Sequence, residues 1–244
     1  MKTAQKKHQS EETATVTYRR KATGWFKWTL LFGLVGTFAL LAGPAQGATD
    51  DHTPGIRIRV DDYAHVLPAI LVGAQREAAR ILAIATLRTE WLDCSVKNRP
   101  KVDPCSEPVQ PTDIVLRLIP KSKNNAYQDS VFGVAVIPLV VTVFVNRVVQ
   151  RAQTDNAEFE IPLILGNVIA HEIGHLLLGL NSHSGSGIMQ KRWERHQIRQ
   201  ALIGNLLFTS EQGKLMQEEV RKRTHFGEPQ QTARISALDG SNLR

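Results

Sequence analysis

The feature that most constrains this chain is a strongly apolar stretch that contains three ionisable side chains, "LILGNVIAHEIGHLLLGL". Its apolar character and flanking residues predict a buried helix from Pro162 to Leu178, ended by Gly179. Two histidines and a glutamate inside such a helix are costly, because buried polar groups without partners destabilise a fold. A bound metal ion removes that cost, and the stretch therefore predicts a metal site.

The spacing of the three side chains is typical of zinc chemistry on one helix face. His171 and His175 lie four residues apart, which places them one turn apart with about 6 Å between their side-chain roots. Zinc held by two such imidazoles lowers the pKa of its bound water toward roughly 7. Glu172 is positioned to take that proton and is the candidate catalytic base. The small size of Gly174 indicates that this helix packs closely against the sheet.

A third ligand has to come from downstream, because catalytic zinc sites usually have three protein ligands and one open position. His183 is our first candidate. Glu194 is a rival, since it follows His175 after 18 intervening residues, a spacing used by the glutamate ligand of gluzincins. His196, among charged neighbours, is a weaker third candidate.

The stretch from Ala170 to Met189, "AHEIGHLLLGLNSHSGSGIM", resembles the zinc site of the metzincin clan of peptidases. The clan pattern is H-E-x-x-H-x-x-G-x-x-H followed by a methionine turn. The resemblance implies that His171 and His175 are zinc ligands and that Glu172 is the general base. Met189 would be the methionine beneath the metal.

The chain departs from that pattern after the second histidine. The clan's glycine and third histidine fall on Leu178 and Asn181, whereas this chain has Gly179 and His183. We interpret this as a longer turn, in which Gly179 adopts a left-handed conformation and a flexible "SGSG" segment returns the chain to Met189. The longer form is similar to a group of exported bacterial proteins related to metzincins, over most of residues 55–222.

The N-terminus is typical of an exported protein. A basic segment precedes residues 28–49, which contain no charged side chain. Such a pattern predicts a signal peptide cleaved after Ala45 or Gly47, or else a single membrane anchor at residues 28–43. Residues 1–49 are therefore assigned to targeting. The chain from residue 50 onward is expected on the periplasmic or extracellular side, without a sizeable pro-segment.

The net charge of +7 does not indicate nucleic-acid binding. Residues 1–28 hold seven basic and two acidic residues, whereas the rest of the chain holds 23 basic and 21 acidic residues. The excess charge is therefore mainly a property of the targeting segment, and a nucleic-acid partner is not expected.

The two cysteines are Cys94 and Cys105, which enclose a short polar loop. In an oxidising compartment they are a natural disulfide pair, worth roughly 2–3 kcal/mol by loop-entropy arguments. Two free thiols are the alternative.

The order of elements predicts an α+β, or mixed α/β, fold with one twisted five-stranded sheet. The predicted strands are 55–63, 88–94, 112–120, 131–139 and 141–149. A helix starting at Pro68 follows the first strand, and the motif helix follows the last. The resemblance to metzincins implies the same sheet with a backing helix, an active-site helix and C-terminal helices. Residues 50–222 are the expected catalytic domain, and residues 223–244 a flexible tail.

These features predict an exported zinc-dependent endopeptidase that acts on a peptide or protein substrate through a zinc-bound water activated by Glu172. The alternatives are a non-catalytic zinc-binding envelope protein of the same fold, a gluzincin-type hydrolase using Glu194, and a hydrolase of non-peptide amides. The oligomeric state has no signal in the sequence.

Three further residues or segments receive structural interpretations. Trp193 is expected to be a packing residue behind the methionine turn, with a substrate-pocket wall as the alternative. Residues 146–151, "NRVVQR", are interpreted as a strand end that meets solvent. Tyr127 is one loop residue that could stabilise the oxyanion, although nothing in the sequence selects it.

Overall fold

The computed structural model of the protein describes residues 53–95, 103–121, 127–128 and 130–227. These residues belong to one compact unit that begins at Ala48. The targeting segment at residues 1–49 lies outside the described residues, as do residues 228–244 of the expected tail.

Five strands form one sheet in the order β2–β1–β3–β5–β4. They are β1 (Gly55–Asp62), β2 (Arg88–Asp93), β3 (Asp113–Ile119), β4 (Gly133–Val136) and β5 (Val140–Phe144). The first four strands in that spatial order run parallel, and β4 pairs antiparallel with β5 at the edge of the sheet. The expected mixed α/β class with a five-stranded sheet is confirmed.

Five helices accompany the sheet: α1 (Pro68–Ile84), α2 (Val145–Thr154), α3 (Ile161–Leu178), α4 (Arg195–Leu202) and α5 (Ser210–Gly227). The motif helix is α3, and the helix that begins at Pro68 is α1. The two helices pack closely at Gly166, where a Cβ atom would lie only 2.6 Å from the Ala74 carbonyl oxygen. The expected backing helix is therefore present, in direct contact with the motif helix.

The main core lies between the sheet and these helices. Successive side chains of a strand point to opposite faces, and in β1 the residues Ile56, Ile58 and Val60 are all buried in the core. Arg59 points to the other face and forms a buried ion pair with Asp113 of β3, at 2.7 Å. The sheet is thus apolar toward the helices, and its second face carries a buried charge pair.

The disulfide between Cys94 and Cys105 is present, as expected. It links the residue that follows β2 to the described segment 103–112, which contacts Arg59 on the second face of the sheet. There Arg59 donates hydrogen bonds to the carbonyl oxygens of Glu107, at 2.8 Å, and Pro108, at 3.2 Å. The covalent link and the buried arginine therefore hold the same segment.

The prediction of strand structure throughout residues 141–149 is wrong beyond Phe144. The chain enters α2 at Val145, so residues 146–151 are helical and do not form a strand end. The buried side chains of α2 are Val145, Val148 and Ala152, a spacing of three and four residues that fits a helix. β-branched composition favoured a strand, but the burial pattern that decides the structure has a helical period.

The C-terminal helix extends beyond the expected domain boundary. α5 continues to Gly227, so residues 223–227 are helical although they were expected in the flexible tail. Arg223 is buried and donates hydrogen bonds to the carbonyl oxygens of Leu176, at 2.7 Å, and Pro138, at 3.1 Å. It thereby satisfies a carbonyl in the last turn of α3, which otherwise has no partner within its helix.

Among the described residues, one helical stretch is long and apolar enough to cross a membrane, Glu158–Leu178. It includes α3, and 72% of its apolar window is buried within the fold. Its apolar character is that of a central core helix.

Candidate metal centre

The centre is built first on α3, which carries three ionisable side chains into the core. His171, Glu172 and His175 expose only 9%, 5% and 7% of their surface. The helix is enclosed because α1, α2, α4, α5 and the strands β4 and β5 all contact it. A regular helix therefore fixes the spacing of these groups, and the surrounding elements remove them from water.

Three imidazoles converge at this point. The Nε2 atoms of His171 and His175 lie 3.2 Å apart, and the ligand atoms of these residues and of His183 all lie within 4.8 Å of one another. His171 and His175 come from one helix turn, whereas His183 comes from the exposed loop after α3. The three histidines singled out in the sequence are thus brought together.

The geometry of the helix pair fits zinc. With Zn–N bonds of 2.0–2.1 Å and tetrahedral angles, two nitrogen ligands of one ion lie about 3.3 Å apart. The observed separation between the Nε2 atoms of His171 and His175 is 3.2 Å. An all-imidazole donor set also suits zinc better than it suits magnesium or calcium, which prefer oxygen. The cluster is therefore compatible with zinc binding.

The Nδ1 atoms on the far side of two rings are held by hydrogen bonds. His171 Nδ1 donates to the Ile188 carbonyl oxygen at 2.7 Å, because that oxygen can only accept. The Nε2 lone pair of His171 is consequently free to face the cluster. His175 Nδ1 lies 3.1 Å from Ser182 Oγ. A backbone carbonyl thus orients the imidazole of His171, and a side-chain hydroxyl orients that of His175.

The surroundings of the three imidazoles disfavour their charged forms. Burial lowers the pKa of His171 to about 4. Burial also lowers the pKa of His175, with a smaller contribution from His183. The pKa of His183 is lowered by partial burial and by the Lys191 cation. Since metal ligation needs the neutral imidazole, this environment favours the binding-competent form.

Glu172 is held against the edge strand. A Cβ atom at Gly133 of β4 would lie 2.8 Å from Glu172 Cγ and 2.9 Å from its Cδ, so the side chain packs directly on that glycine. Burial raises the pKa of Glu172 to about 8. A carboxyl group in this setting can hold a proton near neutral pH, which suits a group that accepts and returns one.

The turn after α3 uses Gly179 as expected, but in a different conformation. Its φ of 96° and ψ of 160° lie in the mirror-extended region that is essentially restricted to glycine, and not in the left-handed helical region. Its N–H donates to the His175 carbonyl oxygen at 3.1 Å, which closes the helix. The chain therefore leaves α3 extended, and this gives the added residues room before His183.

The "SGSG" segment was expected to be a flexible turn that leads the chain back to Met189. In the structure this turn is closed by hydrogen bonds. Ser184 N–H donates to the Met189 carbonyl oxygen at 2.9 Å, and Ser184 Oγ donates to the Ser186 carbonyl oxygen at 2.7 Å. The side chain of Gln212, on α5, donates to Ser184 Oγ at 3.2 Å. The turn is therefore fastened to itself and to a neighbouring helix.

Met189 is fully buried beneath α3. A Cβ atom at Gly174 would lie 2.6 Å from Met189 Sδ and 2.8 Å from a ring carbon of Phe208. The expectation that Gly174 packs against the sheet is therefore wrong, since its neighbours are this methionine and a phenylalanine. The glycine is needed because the methionine turn, rather than a strand, approaches the helix here.

Trp193 is a packing residue, as expected. It is buried, and its ring meets the His171 ring edge-on with 5.5 Å between centroids. It also lies 6.1 Å from the Phe132 ring. Tyr127 was considered for oxyanion stabilisation, but its ring centroid lies 5.7 Å from that of Phe144. It does not line the cleft that opens over the three histidines.

The rival ligands lie elsewhere. Glu194 is exposed and precedes the first turn of α4, where its N–H donates to Gln197 Oε1 at 3.0 Å. The metal-compatible group formed by the described residues does not include Glu194 or His196. His196 is exposed as well. Glu194 is therefore placed as a helix-capping residue.

A cleft of about 390 Å³ opens over the histidines. Residues 131–135, at and before the edge strand β4, form one side of it, and Leu180, Lys191 and Arg192 also line it. An open cleft that contains metal-compatible side chains and a perturbed carboxyl group is the arrangement expected of an active site.

Several residues of the centre were not found by sequence reasoning. Each of these groups contacts one of the three central side chains of α3. Gly133 packs on Glu172, the Ser182 hydroxyl lies beside His175, and the Ile188 carbonyl accepts from His171. An isolated glycine within a β-rich segment indicates close approach of another group, so Gly133 carried a usable signal. No local pattern marks Ser182, because its role depends on how the turn after α3 folds back.

Comparisons with known proteins found similarity to solved structures alone. No protein-family model matches the chain, and no curated protein matches it. Two solved structures are similar to it in part. A zinc-dependent peptidase from Methanocorpusculum labreanum (strain Z) has a TM-score of 0.47 and 16% identity, over 66% of this chain and 100% of that one. Archaemetzincin from Methanopyrus kandleri has a TM-score of 0.44 and 15% identity, over 68% of this chain and 96% of that one. At TM-scores below 0.5, the function of this chain has to rest on its own residues.

Proposed function

We propose that this chain is an exported zinc-dependent endopeptidase in which His171, His175 and His183 hold the metal and Glu172 is the catalytic base. The observation that carries the proposal is the convergence of three imidazoles beside a buried carboxyl group, where all four side chains line an open cleft. A purely structural zinc site would have no use for the carboxyl group or for the opening.

A bound zinc ion would supply a Lewis acid that polarises a carbonyl group and acidifies water. The three histidines would hold it, with His171 and His175 fixed by α3 and His183 supplied by the loop. The hydrogen bond from His171 Nδ1 to the Ile188 carbonyl keeps that ring in the ligating tautomer and orientation.

Glu172 moves the proton in this mechanism. Its carboxylate accepts a proton from the attacking water and later donates it to the nitrogen of the leaving amine. Contact with Gly133 limits where the carboxyl group can lie. Burial raises its pKa in the metal-free protein, and a bound zinc ion would favour the carboxylate form that the first transfer needs.

The substrate is proposed to be an extended peptide. β4 is the outermost strand on its side of the sheet, and residues 133–135 of this strand line the cleft. The unpaired edge of a strand can form main-chain hydrogen bonds with an added peptide strand. This edge would therefore align a peptide or protein chain beside Glu172 and the histidines.

Export is proposed from two separate observations. The N-terminal sequence has the basic and apolar segments of a targeting signal or anchor, with residues 28–43 as the possible span. The Cys94–Cys105 disulfide forms in the fold, and such bonds persist in oxidising compartments. The domain after residue 50 would therefore act in the periplasm or outside the cell.

The metal assignment is tested by measuring zinc per chain by elemental analysis in the wild type, His183→Ala and Glu194→Ala. We expect about one zinc in the wild type and in Glu194→Ala, and a large loss in His183→Ala. A loss confined to Glu194→Ala would instead indicate a gluzincin-type site. A zinc-free wild type after metal-replete preparation would remove the proposal.

The catalytic assignment is tested with Glu172→Gln, which keeps the size of the side chain but cannot act as the base. We expect zinc content to be retained and peptide cleavage to fall by about 10²–10⁴-fold, measured on a mixed peptide library. If the zinc-loaded wild type cleaves no peptide, the non-catalytic zinc-binding protein becomes the better description. Cleavage of non-peptide amides alone would instead redefine the substrate class.

A further inference from the structure

The cleft over the histidines carries two cations that the proposed mechanism does not use. Lys191 and Arg192 both line the cleft, and both are exposed. Within the described part of the chain, neither side chain has a carboxylate partner within ion-pair distance. The single acidic side chain among the described lining residues is Glu172. Among the described residues, these two cations therefore line the open cleft without an ion-pair partner.

The backbone that carries these cations is fixed at both ends. Before it, Met189 is fully buried and its carbonyl oxygen accepts a hydrogen bond from Ser184 N–H at 2.9 Å. After it, Trp193 is buried against the His171 ring, and its carbonyl oxygen accepts from Arg151 Nη1 at 2.8 Å. The two side chains therefore extend from a held segment next to the proposed metal ligands, which lowers the entropy cost of using them.

The edge-strand side of the cleft has a different character. Residues 131–135, "VFGVA", carry no charged side chain. Among the described lining residues, Lys191 and Arg192 are therefore the cations, and Glu172 is the one acidic group. A cleft with charges of one sign attracts ligands of the other sign.

We propose that Lys191 and Arg192 select substrates that present a carboxylate close to the bond to be cleaved. The inference rests on the proposed function, because it names the substrate class of that same cleft. Lysine offers a compact charge and arginine a planar fork, and both are suited to carboxylate recognition at an exposed site. The carboxylate can come from an acidic side chain or from the free C-terminus of a peptide.

The test uses a set of fluorescent peptides of one length and sequence. In one pair, Glu replaces Gln beside the expected cleavage position, and both peptides have amidated C-termini. A third peptide keeps the Gln and has a free C-terminus at the adjacent position. Binding is measured by fluorescence anisotropy on the full-length, zinc-loaded Glu172→Gln chain, and cleavage on the full-length wild type.

We expect the Glu peptide to bind and to be cleaved about tenfold better than the Gln peptide, as for one or two charge-assisted contacts in a partly exposed site. The preference should shrink as salt is added. Lys191→Glu combined with Arg192→Glu should abolish or reverse it. Arg195→Glu combined with Arg199→Glu is the matched control, since it makes the same change in net charge at exposed α4 positions outside the cleft lining.

The outcomes separate this inference from the proposed function. Cleavage without any carboxylate preference, or a preference that survives in the Lys191→Glu/Arg192→Glu chain, overturns the inference and leaves the peptidase intact. Carboxylate-dependent binding without cleavage of any peptide supports the recognition and removes the peptidase. Absence of binding to all three peptides overturns the inference as well. If only the peptide with a free C-terminus is preferred over the amidated Gln peptide, the two cations recognise a C-terminal carboxylate and not an acidic side chain.

Discussion

The two halves of the metal centre are built in different ways. His171, Glu172 and His175 lie on one helix, inside the core, at positions that the helix period fixes. His183 lies on an exposed loop, and its position depends on hydrogen bonds and on the buried anchors Met189 and Trp193. The positions of the side chains in the helix half should therefore be insensitive to substitutions that leave core packing unchanged. The position of His183 depends instead on a few specific contacts.

The largest effect is expected where the helix half meets the edge strand. A methyl group at Gly133 would lie 2.8 Å from Glu172 Cγ and 2.8 Å from the Thr142 carbonyl oxygen. We expect Gly133→Ala to displace the carboxyl group and to reduce kcat/KM for a cleaved peptide by about 10²-fold, with zinc content unchanged. Val136→Ile, which adds volume at an exposed position of the same strand outside the cleft lining, is the control. Equal activities of the two variants would show that Gly133 does not position Glu172.

The packing difference between the two halves can be measured with two glycines. Gly174→Ala places a Cβ atom 2.6 Å from Met189 Sδ, whereas a Cβ atom at Gly185, in the loop, meets nothing within 4 Å. We expect Gly174→Ala to lower the free energy of unfolding by about 2 kcal/mol through overpacking. Gly185→Ala should change it by less than about 0.5 kcal/mol. Denaturant unfolding of both variants checks this, and similar losses would contradict the comparison.

The buried groups of the helix half predict a specific pH dependence in the zinc-free protein. Burial raises the pKa of Glu172 from 4.5 to about 8, so its protonated form stabilises the fold at low pH and that stability is lost as pH rises toward 8. Burial lowers the pKa of His171 from 6.5 to about 4, so its contribution is lost as pH falls from 6.5 toward 4. The two contributions oppose each other between pH 4.5 and 6.5, whereas above pH 6.5 only the loss from Glu172 remains, so stability should fall between pH 6.5 and 8.

The pH dependence of stability is tested by denaturant unfolding at pH 6.5 and at pH 8, on protein from which zinc has been removed with a chelator. We expect a loss of about 2 kcal/mol between these two pH values, and Glu172→Gln should abolish it. Bound zinc should reduce the loss as well, because a nearby cation favours the carboxylate. A wild type and a Glu172→Gln chain with parallel pH profiles would show that Glu172 does not titrate in this range.

The smallest effect is expected from the contact that joins the two halves. Ser182 Oγ lies 3.1 Å from His175 Nδ1, whereas the partner of His171 is a backbone carbonyl that no substitution removes. We expect Ser182→Ala to weaken zinc affinity about tenfold, measured by competition with a chelator. Ser186→Ala, in the same loop, should leave the affinity unchanged. An unaltered affinity in Ser182→Ala would mean that α3 alone orients His175.

Much of the fold could be predicted from local patterns. Alternation in β1, the proline at the start of α1 and the glycine after α3 each identified an element correctly, because burial there follows the period of the backbone. α2 was missed because Val145 and its neighbours favour strands by composition. Its buried face became apparent only with the helix that packs against it.

The helix half of the centre could be predicted from local sequence alone. Once α3 forms, its pitch places His171 and His175 together and fixes Glu172 between them, so spacing is sufficient. The other contacts are visible only in the folded structure. His183 lies beside His171 and His175, whereas Glu194 remains at the start of α4. Gly133 packs on Glu172, and Met189 fills the space left by Gly174. These contacts join residues through turns, and the conformation of a turn depends on what the flanking elements pack against.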